Sequence, residues 1–93
     1  MDSLLIDFES RLVFMPDGRK VILPLMEFKI LAHLYSNKGN WISCNEILQA
    51  VWGDGWIDDK HLIHVHICRI RRKLGNNNNH QYISTKHEGY ILN

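Results

Sequence analysis

Hydrophobic positions in the first 23 residues alternate or fall into short runs. Leu4 to Phe8, Arg11 to Met15 and Lys20 to Leu23 are three such stretches, separated by Glu9-Ser10 and by the turn Pro16-Asp17-Gly18-Arg19. They predict a small antiparallel meander. At Pro24 the period changes: Phe28, Leu31, Leu34 and Tyr35, with Ile30 and Ala32 beside them, recur at spacings of three and four, as one face of a helix requires. That helix is expected to reach about Ser36 and to stop at Asn37-Lys38-Gly39-Asn40. Ser43-Cys44-Asn45-Glu46 has the spacing of a capping box, in which Ser43 accepts from the amide of Glu46 and Glu46 reaches back to the amide of Ser43. A second helix follows, with the apolar stripe Ile47, Leu48, Val51 and Trp52, closed by Gly53-Asp54-Gly55. Beyond a loop, Asp58 or Asp59 caps a third helix that runs to Leu74 and ends at Gly75, before four asparagines. Gln81 to Thr85 and Tyr90 to Leu92 then read as a hairpin around the polar tip Lys86-His87-Glu88-Gly89. The order of strands, three helices and hairpin is that of a single α+β domain over residues 1–93.

The third helix carries the most information. At about 100° per residue, Ile63, Ile67, Ile70 and Leu74 fall on one buried stripe. The opposite side presents His61, Val65, Cys68, Arg69 and Arg72, with His64 and Arg71 toward one flank. A merely solvated face mixes acids with bases, whereas this one offers cations, imidazoles and one methyl-bearing side chain, a set suited to phosphates and base edges. Arg69 and Arg72 are the leading DNA-contact candidates, because a guanidinium bridges phosphate oxygens or pairs with guanine N7 and O6. Val65 is placed to pack on a thymine methyl, and His61 and His64 to donate to phosphate or base. Histidines gain their proton near neutrality, so binding is expected to strengthen as pH falls. His66 projects beside Ile63 and Ile70 and reads as packed. Arg71 joins the basic face as a flanking or long-range contact, and Lys73 reads as solvated. Lys86 and His87 at the hairpin tip are expected at the backbone or minor groove, with Thr85 bonding a phosphate.

Charge distribution sharpens this reading more than charge itself. The net charge is only +1, yet Lys60 to Lys73 holds five Lys or Arg and three His with no acid, leaving six basic and ten acidic residues elsewhere. No apolar run approaches the roughly 20 residues that span a bilayer, and the acidic start Met1-Asp2-Ser3 is unlike a secretory leader. A cytoplasmic place with reduced Cys44 and Cys68, and no membrane partner, is therefore expected. Gly-rich phosphate loops, GxSxG and converging carboxylate pairs are all missing from the sequence, so no enzymatic activity and no cofactor are expected.

Four blocks in order carry a resemblance: Met26-Glu27-Phe28-Lys29-Ile30-Leu31, Ile47-Leu48-Gln49-Ala50-Val51-Trp52-Gly53, Val65-His66-Ile67-Cys68-Arg69-Ile70-Arg71-Arg72-Lys73-Leu74, and Tyr82-Ile83-Ser84-Thr85 through Gly89-Tyr90. The chain resembles, over essentially its whole length, the winged helix-turn-helix effector domain of bacterial OmpR/PhoB-type response regulators. The resemblance implies a four-stranded N-terminal antiparallel sheet, three helices and a C-terminal β-hairpin wing, with helix three in the major groove and the wing at the minor groove. It further implies double-stranded promoter DNA as partner, a homodimer on direct repeats, and contact with RNA polymerase through the loop after helix two, where Asp54 and Trp56 lie. A sensor kinase would act only through a receiver domain, which these 93 residues lack. Departures from the family pattern are Pro24 in place of a capping threonine, His61, Leu62 and His64 where Arg, Thr and Asp are usual, Cys68 for an arginine, and a wing one residue shorter bearing Lys86 and His87. They imply weaker affinity and a different target sequence than in an arginine-rich relative.

Two other classes stay open at this stage. His61, His64 and Cys68 stand at i, i+3 and i+7, a spacing that can place metal ligands on one helical face and make the chain a metal- or redox-responsive regulator. A protein-interaction module would use exposed aromatic residues as anchors; Trp41 and Trp52 read as core, which leaves Trp56.

Overall fold

The computed structural model describes residues 4–55, 59–75 and 82–93. Strands β1 (Leu5–Asp7), β2 (Leu12–Phe14) and β3 (Lys20–Ile22) form an antiparallel sheet in that order. Val13 is the register partner of both Ile6 and Val21, and the three turn one face of the sheet to the core, which Leu4, Met15 and Leu23 extend beyond the strand ends. The turn between β1 and β2 is held by Asp7, whose carboxylate accepts from the amides of Glu9 (3.0 Å) and Ser10 (3.4 Å). The expected meander is thus present, but the family's fourth strand is not among the described residues of this sheet. The chain leaves β3 through Leu23 and Pro24 alone before helix α1 (Leu25–Ser36), and a proline at the N-cap cannot donate to a ladder.

α1 buries Phe28, Ile30, Leu31 and Leu34, the stripe read from the sequence. It also buries Glu27, only 4% exposed, whose carboxylate accepts from Lys73 Nζ at 2.8 Å. Lys73 is therefore a tie between helices rather than a solvated charge. Helix α2 (Cys44–Trp52) begins at Ser43, whose hydroxyl accepts from the Glu46 amide at 3.1 Å. The other half of the box is replaced: the Glu46 carboxylate lies 3.2 Å from His33 Nε2 on α1, while Ser43 is drawn into a short strand, β4 (Ile42–Ser43). A 3₁₀ turn, Gly53–Gly55, follows α2.

Helix α3 (Lys60–Leu74) is capped by Asp59, which accepts from the Leu62 amide at 3.0 Å, and Ile63, Ile67, Ile70 and Leu74 are buried as the periodicity required. It ends at Gly75 in the left-handed region, φ 75°. A side chain there would meet the Arg19 guanidinium at 3.0 Å, and that group donates to the Leu74 carbonyl at 3.0 Å. The turn between β2 and β3 thereby closes the C-terminal end of α3.

The wing is β5 (Ile83–Lys86) and β6 (Gly89–Leu92), joined by β4 into a second antiparallel sheet of order β4-β6-β5. Lys86 pairs with Gly89, so the tip is the two-residue turn His87-Glu88, one pair tighter than the sequence indicated. Ile83, Tyr90 and Leu92 enter the same core as the three helices. No helix among the described residues is long and apolar enough to cross a membrane.

Candidate nucleic-acid interface

Because one side of α3 is spent on the core, its other side is fixed in space. His61, His64, Cys68, Arg69 and Arg72 are exposed, and Val65 is half-buried at the edge of the stripe. The two imidazoles stand 6.5 Å apart, and His64 Nε2 lies 3.6 Å from Cys68 Sγ. Among the described residues, no side-chain hydrogen bond or ion pair engages Arg69 or Arg72, so both guanidinium groups keep their donors for an outside acceptor. His66 turns inward, with Nδ1 2.8 Å from the Leu62 carbonyl and its ring edge-on to Trp52 at 5.7 Å, the packed histidine that the helical register indicated.

Arg71 is placed differently from its neighbours. It reaches across to the wing, donating through Nε (3.2 Å) and Nη2 (2.8 Å) to the Ile83 carbonyl and through Nη2 (2.7 Å) to Thr85 Oγ1, with its guanidinium 5.8 Å from the Tyr90 ring centre. Burial raises the pKa of the Tyr90 phenol, which stays neutral beneath it. Arg71 and Thr85 thus serve each other before they serve a ligand, and Arg71 acts as a strut that sets the angle between α3 and the wing. Lys86 and His87 are exposed at the wing tip, and Lys60, the first residue of α3, pairs with Glu88 at 3.0 Å.

Trp41 overturns a sequence reading. Alternation along β4 gives the buried place to Ile42 and turns the preceding residue outward, leaving Trp41 45% exposed. Its indole donates to the Lys86 carbonyl at 2.6 Å and lies against Gly89, where a Cβ would sit 2.5 Å from the ring. Trp52 is half-buried against the core, as read. Asp54 is exposed in the 3₁₀ turn, whereas Trp56 and Asp58 lie outside the described residues. No three His, Cys, Asp or Glu side chains among the described residues converge to hold a metal ion, so His61, His64 and Cys68 do not form a ligand triad by themselves.

Three helices whose last is laid open, followed by a hairpin braced against it, define a winged helix-turn-helix. Residues 18–92 match the family "Transcriptional regulatory protein, C terminal". The chain belongs to that family, the DNA-binding domain of OmpR/PhoB-type regulators. It is 37% identical over 57 residues to the regulatory protein VanRc of Enterococcus gallinarum, a match covering 61% of this chain and 25% of that protein. The chain therefore spans about a quarter of the length of the curated relatives it matches. Among solved structures, the OmpR/PhoB homologue DrrB of Thermotoga maritima superposes with a TM-score of 0.82 at 30% identity, over 99% of this chain and 42% of that one. The RstA DNA-binding domain of Klebsiella pneumoniae, solved in complex with the RstA box, gives 0.80 at 28%, over 97% and 90%.

Proposed function

We propose that this domain binds double-stranded promoter DNA and regulates transcription from it, with α3 in the major groove and the wing over the adjoining minor groove or backbone. The observation that carries this reading is the outward face of α3, where Arg69 and Arg72 have no side-chain partner among the described residues, in a segment with no acidic residue. The RstA domain in complex with the RstA box supports the same use of a similar fold. Arg69 and Arg72 contact phosphate or guanine, His61, His64 and Cys68 line the groove beside them, and Val65 meets a thymine methyl. Lys86 and His87 take the backbone from the wing, while Arg71 and Thr85 hold the wing in place.

The same reading extends to partners. The domain dimerises on repeated sites, contacts RNA polymerase through Asp54 and Trp56, and answers a sensor kinase only through a receiver domain elsewhere in the regulator. It acts in the bacterial cytoplasm and has no catalytic role. Loss of activation with DNA binding retained in Trp56→Ala is the result expected of a polymerase contact; equal loss of both would contradict it.

Anisotropy on random duplex and on a selected-oligonucleotide pool, at about 50 and 200 mM salt, tests the DNA reading directly. Salt-sensitive binding that enriches a repeated motif is expected. Failure to bind either pool at micromolar protein in low salt would overturn it.

A further inference from the structure

An open notch of about 230 Å³ lies beside the wing, lined by Trp41, Lys86, His87 and Ile91. A second, smaller cleft of about 100 Å³ shares Trp41 and His87 with it and continues past Asn45 to Lys60 at the start of α3. The two therefore form one surface running from the wing to the end of the DNA-facing helix. The floor of the larger notch is apolar, because the only polar atom of the indole is already engaged by the Lys86 carbonyl. The rim of this surface carries the exposed Lys86 ammonium and the exposed His87 imidazole, and its acid, Glu88, is answered by Lys60.

An apolar floor beside a lysine ammonium and an imidazole donor matches a sugar-phosphate strand, in which furanose rings alternate with anionic phosphates. A peptide would need its backbone donors and acceptors met, whereas the larger notch sets an aromatic ring and the aliphatic Ile91 at its floor. The ring is also held rigidly, by the 2.6 Å bond to the wing and by the absence of a Cβ at Gly89, so presenting it costs little further conformational freedom on binding. We propose that Trp41 is a DNA-contact residue whose exposed ring seats a deoxyribose of the strand under the wing, while Lys86 and His87 hold the flanking phosphates. This rests on the DNA-binding reading above and adds to it a contact outside α3 and the wing tip.

The test uses the 93-residue domain with a random-sequence duplex at low salt, following tryptophan emission and acrylamide accessibility together with anisotropy. Duplex should shield the exposed indole in the wild type, and that shielding should vanish in Trp41→Phe and in Trp41→Leu. Affinity should fall about tenfold in Trp41→Leu. The salt slope should stay unchanged, because a ring contact releases no counterion, whereas Lys86→Ala should lower it by about 1. Circular dichroism of each variant reports whether the wing sheet has formed, and Lys86→Ala keeps the notch testable if Trp41 variants unfold: an unchanged slope there argues against phosphates at the rim. Wild-type binding with no change in indole accessibility would mean that the ring only braces the wing, and would overturn the proposal while leaving DNA binding intact. No binding by the wild type would overturn both.

Discussion

At the scale of single residues, cations that look equivalent in the sequence have separate tasks. Lys73 neutralises Glu27, a carboxylate only 4% exposed, whereas Arg69 and Arg72, four and one residues earlier in the helix, face outward. Lys73→Ala strands a buried charge and is expected to destabilise the domain by about 2 kcal/mol, which calorimetry should register as a melting temperature lower by roughly 10 °C in a chain of this size. DNA affinity measured well below that temperature should change far less. Arg71 belongs to the structural group as well, since the Ile83 carbonyl and Thr85 hydroxyl accept from it. The periodicity of α3 assigns faces, but two long side chains on one flank differ by what stands opposite, and that depends on where the wing docks.

At the scale of elements, the wing is where local preference and tertiary demand conflict. Its two-residue turn places His87 and Glu88 at φ 48° and 53°, a region that favours Asn and Gly. His87→Asn should therefore raise stability by about 0.5 kcal/mol and weaken DNA binding, a trade-off that paired melting and anisotropy measurements would show. Gly89→Ala should lower stability instead, driving a methyl into the Trp41 ring and the Ile42 carbonyl and costing about 2 kcal/mol. Intact stability in Gly89→Ala would mean that the indole is not seated as described. The turn, caps and helical stripes were legible in the sequence because each is local: Ser43, Asp59 and Gly75 sit where their chemistry is needed. Strand β4 was not, because two residues of alternation carry almost no periodic signal and its partner, β6, lies more than forty residues away. Missing β4 is also what put Trp41 in the core.

At the scale of the whole molecule, a nearly neutral chain presents a basic helix on a mildly acidic body. The body is fastened twice to the C-terminal end of α3: Lys73 pairs with Glu27 of α1, and Arg19 of the β2–β3 turn donates to the Leu74 carbonyl. The wing is fastened to it by Arg71. These ties hold the outward face of α3 in one position relative to the three-stranded sheet, α1 and the wing. The candidate face was mostly legible from α3 alone; the division between contacts and struts, and the Trp41 notch, required the packing.

The most direct test of the central claim, that the outward face of α3 docks on DNA, is the salt dependence of duplex affinity in Arg69→Ala, Arg72→Ala and Arg71→Ala. Removal of Arg69 or Arg72 should each lower the slope by about 1, as loss of a phosphate contact does, while Arg71→Ala should weaken binding with the slope near its wild-type value. Wild-type slopes in both the Arg69 and Arg72 variants, with the loss appearing in Arg71→Ala instead, would contradict the docking face.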